Sequence, residues 1–334
     1  MSKPSRRFAA PAVLLVAALV PRLVSAAEAP LPEPRLDAYV TTDQTPYFAL
    51  SLSPNAAVAQ GGPRDVVIVF DTSASQTGVF REKALEALAV LLQGLNRADR
   101  VRLLAVDLEA IALSPAFAPP QSDETLRAMA ALKQRAPLGA TDLPEALRAA
   151  AAGFDAQSKS PRVLVYLGDG MSAARFLVLD EYQHLVEALV GERISVSSYA
   201  VGPRVDSALL AALANTTGGL LAIDGETATA KQCGAFLAAG VRGTVIWPTK
   251  MSWPQAFVEV YPSRMPPLRT DRDTIVLGKS AAGKLSGELT VAMSAQVGGK
   301  PRAFQWTLAP GASNPDFAFL PVLVEGAKSD GGAR

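Results

Sequence analysis

The chain has one cysteine and one histidine in 334 residues. A lone Cys233 excludes an intramolecular disulfide, so stability has to come from burial. Set among alanines at helical spacing, Cys233 reads as a small buried hydrophobe rather than a nucleophile. His184 lies inside a helical pattern with no serine or cysteine motif to serve, and reads as structural. Charge is sparse as well: charged residues make up 19% and the formal net charge is +1. That balance excludes general nucleic-acid or membrane-surface electrostatics. Disorder is excluded by an apolar fraction of 49%, ample for a core.

Long apolar runs are missing except at the start. Lys3, Arg6 and Arg7 precede an apolar stretch from Phe8 to Val20, and small residues follow at Val24-Ser25-Ala26. This is the order of a secretory signal peptide over residues 1–26, cleaved near Ala26. Pro21 and Arg22 interrupt the run before it reaches spanning length, and Arg6-Arg7 is compatible with general or twin-arginine export. Cleavage takes Lys3, Arg6, Arg7 and Arg22 from the 32 basic residues and none of the 31 acids, leaving 28 against 31. The mature chain is therefore expected to be secreted or periplasmic, with no membrane span and no nucleic-acid partner.

From Asp65 onward, apolar β-branched runs alternate with helical patterns. Strands are expected at 65–70, 101–106, 162–167, 194–201 and 220–223, with a short edge strand at 109–113. Helices are expected at 81–95, 122–135, from Thr141 or Asp142, and at 172–192, 206–215 and 227–239. Strands without in–out alternation, separated by helices, define an α/β fold: a doubly wound, mostly parallel sheet covered on both faces. After Thr244 the helical spacing stops. Trp-Pro pairs appear, and short runs between Gly and Pro turns read as a smaller antiparallel β-sandwich. Trp247, Trp253 and Tyr261 read as part of its core. The expected divisions are a signal peptide at 1–26, a linker at 27–62 with one strand (47–53) joining the β-domain, the α/β domain at 63–243, the sandwich at 244–324 and a flexible tail at 325–334.

Three strand ends carry oxygen chemistry: Asp71-Thr-Ser73-Ala-Ser75, Gly139-Ala-Thr141-Asp142 and Gly168-Asp169-Gly170. Ligands of doubly wound sheets gather outside the carboxyl ends of the strands, so the three can converge. Hydroxyls and carboxylates without nitrogen or sulfur suit a hard divalent cation, Mg2+ or Mn2+. Ser73, Ser75 and Thr141 are the candidate direct ligands, with Asp71 and Asp169 behind them holding bound water. Asp142 is expected to cap the helix that follows it.

Asp71, Ser73, Ser75, Thr141 and Asp169, in that order and after a buried strand, resemble the metal-ion-dependent adhesion site of von Willebrand factor type A domains. Tyr199-Ala-Val-Gly202 and Leu213-Ala-Asn-Thr-Thr-Gly-Gly219 are similar to that family's later strand and helix. Ala74 and Ala140 stand where the family usually has glycine. The flanks, Tyr47 to Pro54 and Val260 to Leu268, resemble inter-alpha-trypsin inhibitor heavy chains and their bacterial relatives. Residues 27–60 leave no room for most of the N-terminal β-domain of those proteins. The resemblance implies a fold with a divalent cation at the five residues, and a partner protein that supplies a carboxylate to the metal. A metal-independent envelope scaffold is the alternative. A metal-dependent hydrolase is disfavoured for want of a spare general base, so no enzymatic activity is expected.

Overall fold

In the computed structural model, which describes residues 33–54, 62–225 and 228–328, the chain opens on an antiparallel hairpin, β1 (Arg35–Val40) and β2 (Pro46–Leu52). The expected signal segment, residues 1–26, lies outside the described residues. The α/β part follows: β3 (Asp65–Asp71), α1 (Gly78–Gly94), β4 (Arg100–Val106), β5 (Ala110–Ala112), α2 (Asp123–Gln134), α3 (Leu143–Ala152), β6 (Arg162–Gly168), α4 (Leu179–Gly191), β7 (Ile194–Ala200), α5 (Ser207–Thr217), β8 (Leu221–Ile223) and α6 (Ala230–Arg242). Six more strands come after it, β9 (Val245–Ser252), β10 (Phe257–Tyr261), β11 (Leu268–Arg269), β12 (Thr274–Ser280), β13 (Leu289–Val297) and β14 (Lys300–Leu308). The last element is the helix α7 (Leu320–Lys328).

The α/β sheet runs β5-β4-β3-β6-β7-β8, parallel except for the edge strand β5. Every residue of β3 is buried because helices cover both faces. Val66, Ile68 and Phe70 pack with residues of α1, α2 and α6, whereas Val67 and Val69 pack with α3, α4 and α5. The period of two along a strand thus feeds two cores at once. Gly234 of α6 lies so close to α1 that a Cβ there would sit 2.4 Å from the Ala87 carbonyl oxygen; only glycine permits that crossing. Caps follow the sequence: Ser122, Asp142, Asp206 and Thr229 each accept a backbone N–H of the next helical turn.

The strands outside this sheet form two four-stranded antiparallel sheets, β1-β2-β12-β10 and β11-β9-β13-β14, packed through Phe48, Leu50, Leu52, Val276, Met293 and Trp306. The α/β domain is therefore an insertion between β2 and β9, and all of this belongs to one compact unit.

Four expectations change. Residues 27–62 contribute two strands, not one: β1 pairs along its whole length with β2, and Leu36 and Ala38 are its only fully buried side chains. The tail expected from 325 instead begins inside α7, whose Leu320 and Val324 seal the outer face of β2 against Tyr47. The helix expected from Ser172 starts at Leu179. Residues 171–178 instead run alongside the Thr141 loop, with Ala174 N–H donating to the Thr141 carbonyl and Leu143 N–H to Ser172 Oγ. The aromatic trio does not cluster. Trp253 packs on the sandwich core and Tyr261 on the α7 side, while the tryptophan inside the core is Trp306, its Nε1 donating to the Ser53 carbonyl.

Candidate metal-binding site at the strand ends

Asp71 closes β3, and Asp169 follows β6, its immediate neighbour in the sheet. The sheet order reverses at β3, which opens the crevice between the loops after β3 and β6. The Thr141 loop is stitched to the β3 loop by Leu138 N–H to the Thr72 carbonyl (2.9 Å) and Ala74 N–H to the Gly139 carbonyl (3.0 Å). The structure therefore brings together all five residues singled out by sequence.

Asp71 is fully buried. Its Oδ1 accepts Ser73 N–H at 2.9 Å and Thr141 Oγ1 at 2.9 Å, and its Oδ2 accepts the Tyr166 hydroxyl at 2.7 Å. Asp169, 2% exposed, accepts Met171 N–H at 2.9 Å on Oδ1 and Ser75 Oγ at 2.6 Å on Oδ2. Ser73 Oγ and Ser75 Oγ lie 3.0 Å apart. Ser73, Ser75, Thr141 and Asp169 line a cleft of about 370 Å³, and Asp71 lies beneath it.

Electrostatically the cluster is incomplete. Neither carboxylate has an ion pair among the described residues, and the nearby Arg135 is committed to Asp107 at 2.6 Å. Burial pushes the Asp71 carboxyl above its ordinary range, against the pull of its hydrogen bonds from Ser73 and Tyr166, and the Asp169 charge adds to the rise. Burial, then the Asp71 charge, raises the Tyr166 phenol well above its usual value, which keeps it a donor. Among the described residues no group of three His, Cys, Asp or Glu has metal-ligand placement. The donors here are hydroxyls backed by two carboxylates, a set that fits a hard dication and offers little to a soft one.

Sequence reasoning missed Tyr166 and Gly168. The signal for Tyr166 was a hydroxyl inside an otherwise apolar buried strand, which has to find an acceptor. A Cβ on Gly168 would sit 2.4 Å from the Tyr166 hydroxyl and 2.5 Å from Asp71 Cβ, so the supporting bond depends on glycine there. Asp142 caps α3 as expected, accepting Glu145 N–H at 3.0 Å, and pairs with Arg175 at 3.2 Å. Cys233 is buried in the α1–α6 core. His184, expected to be structural, stands exposed on α4, its nearest charge Asp180 at 3.7 Å.

A doubly wound sheet with hydroxyls and two carboxylates converging at its switch point defines a class of domain. The von Willebrand factor type A domain model matches residues 64–223, so the α/β domain of this chain is of the von Willebrand factor type A family. Human inter-alpha-trypsin inhibitor heavy chain H4 is 26% identical over 181 residues, 52% of this chain and 19% of that protein, so the chain spans about a fifth of this relative. Among solved structures, a von Willebrand factor type A protein from Catenulispora acidiphila covers 85% of this chain and 75% of its own, with a TM-score of 0.57 at 14% identity. The human COPII-coat protein Sec24c covers 85% of this chain and 50% of its own, with a TM-score of 0.50 at 14% identity. At such identities the likeness is one of fold, and its coverage extends past the α/β domain into the sandwich.

Proposed function

We propose that this chain is an exported binding module that holds a divalent cation, Mg2+ or Mn2+, and engages a partner protein through a carboxylate of that partner. One observation carries the reading: two buried carboxylates bonded to hydroxyls meet at a cleft in which neither has an ion pair among the described residues, although Arg204 lines the same cleft. Such a pair is costly unless neutralised. Ser73, Ser75 and Thr141 would hold the ion, with Asp71 and Asp169 orienting the set. The bound ion would supply a Lewis-acidic position that a partner's carboxylate completes.

The rim supports a protein partner. Leu138, Met171, Phe176 and Val178 are 74%, 38%, 87% and 60% exposed on the two loops beside the cleft, and apolar side chains at the edge of a polar site are what an interface buries. No catalysis is proposed, because the acids at the site are all engaged by hydrogen bonds or Arg175. Export rests on the residue order of 1–26, and sequencing the N-terminus of the protein recovered from its native host tests it. An intact Met1 there contradicts cleavage.

The metal reading is tested by following the melting temperature through a Mg2+ titration. A rise in the wild type and none in Asp71→Ala is expected; no shift in the wild type removes the claim. Capture of a partner from envelope extract should then require Mg2+ and fail with chelator. Equal capture in both conditions favours a metal-independent scaffold.

A further inference from the structure

A second site lies where the α/β domain meets the sandwich. Helices α4 and α5 run antiparallel to the strands, so their last turns reach the amino-terminal end of the sheet, away from the cleft. There, between α4, the end of α5, the 261–267 loop, the start of β12 and α7, is a cavity of about 870 Å³. Val186, Val190, Pro266, Leu277, Val322 and Leu323 give it apolar walls, and its size falls in the range of small-molecule sites.

The charges of the walls decide what fits. Glu187 is paired with Arg264 at 3.4 Å. Asp273 accepts Ser51 Oγ at 2.6 Å on one oxygen and the Ser53 hydroxyl on the other. Asp271, next to Arg272 in the chain, gives both oxygens to the buried Arg269, at 2.7 and 2.6 Å. Arg272 is left with a single long hydrogen bond, Nη2 to the Ala214 carbonyl at 3.5 Å, and no ion pair among the described residues. Burial, reinforced by the charge of Arg269 and only partly opposed by that of Asp271, pulls its pKa down.

We propose that this cavity binds an amphiphilic monocarboxylate, its head on the Arg272 guanidinium and its hydrocarbon body along the apolar walls. A planar fork of donors matches a carboxylate in two parallel hydrogen bonds. Arg264 is paired with Glu187, and Asp273 is held by two hydroxyls and keeps its charge; among the described residues Arg272 is the lining cation with no carboxylate on its guanidinium, which one carboxylate completes. The apolar walls offer nothing to a small inorganic anion that would have to shed its water, whereas a hydrocarbon tail gains by burial. Val322 and Ile275, 74% and 54% exposed, extend the apolar surface to the mouth. The site is independent of the cation-binding cleft.

The test is isothermal titration of the full chain with dodecanoate, below its micelle concentration and with chelator present. Saturable binding of one molecule per chain is expected, with the same affinity in Asp71→Ala. Arg272→Gln should weaken binding by about tenfold or more, the ordinary loss for a charged hydrogen bond, and dodecanol should bind weakly and equally to wild type and Arg272→Gln. Val322→Glu, at an exposed position that folding tolerates, places a like charge at the mouth and should also weaken dodecanoate. No dodecanoate binding by the wild type, or unchanged affinity in Arg272→Gln, overturns the proposal. If Arg272→Gln does not fold, Val322→Glu decides alone, and unchanged affinity there overturns it.

Discussion

Two buried polar clusters in this molecule are built in opposite ways. Around Arg269, 1% exposed, four of the five N–H groups are answered: Asp271 takes two, and the Gly218 and Gly240 carbonyls take one each at 3.0 and 2.8 Å. Those carbonyls belong to the α/β domain and Arg269 to the sandwich, so the cluster ties one to the other. Around Asp71 and Asp169 the hydrogen bonds are just as short, yet the charge is left over. A closed cluster holds a structure together, and an open one is where the proposed cation would act. Both would pass as buried polar groups by exposure alone; the charge balance separates them.

The largest effect should come from breaking the closed cluster. Arg269→Ala takes the Arg269 donor from the Gly218 carbonyl, leaves the Gly240 carbonyl with Gly243 N–H alone and opens a void in the junction, and should cost about 3–5 kcal/mol in urea unfolding. A loss below about 1 kcal/mol would mean that the junction does not depend on it. The open cluster should respond with the other sign. Asp71→Asn keeps the shape and removes the unbalanced charge, so with chelator it should be at least as stable as the wild type. With Mg2+ at about a hundred times its dissociation constant the wild type should gain about 2.7 kcal/mol and the variant nothing. A destabilised Asp71→Asn in chelator would place this cluster with the closed kind.

How much of this was legible follows from where the physics is local. The strand ending at Phe70 was plain because a parallel strand buried on both faces needs an unbroken apolar run. The oxygen-bearing residues at the strand ends were plain because residue type alone sets their chemistry. Residues 171–178 were misread because Phe176 and Leu179, three apart, continue the helical spacing of Tyr182 and Leu185, while the bonds that hold that segment to the Thr141 loop, Ala174 to Thr141 and Leu143 to Ser172, join residues far apart in sequence. Strand β1 was misread because only Leu36 and Ala38 of its six residues are fully buried. Nothing in the sequence marks Arg269, since its partners at Gly218 and Gly240 are brought to it by tertiary structure.

The smallest effect separates support from charge. Burial acts to raise the Asp107 carboxyl, but the Arg135 hydrogen bond and charge, the Glu109 N–H and the Thr72 hydroxyl outweigh it and hold the group below its ordinary range. A carboxylate whose folded pKa is lowered contributes stability above its unfolded value and loses that contribution as pH falls through the folded value. Asp107→Asn should therefore cost about 1 kcal/mol near neutral pH, and the gap from the wild type should close in acid. Arg135 and Thr72 brace the loop that presents Thr141, so the same variant should weaken Mg2+ without abolishing it, unlike Asp71→Asn. A gap that widens in acid, or complete loss of the Mg2+ response, would show Asp107 to be part of the open cluster rather than its brace.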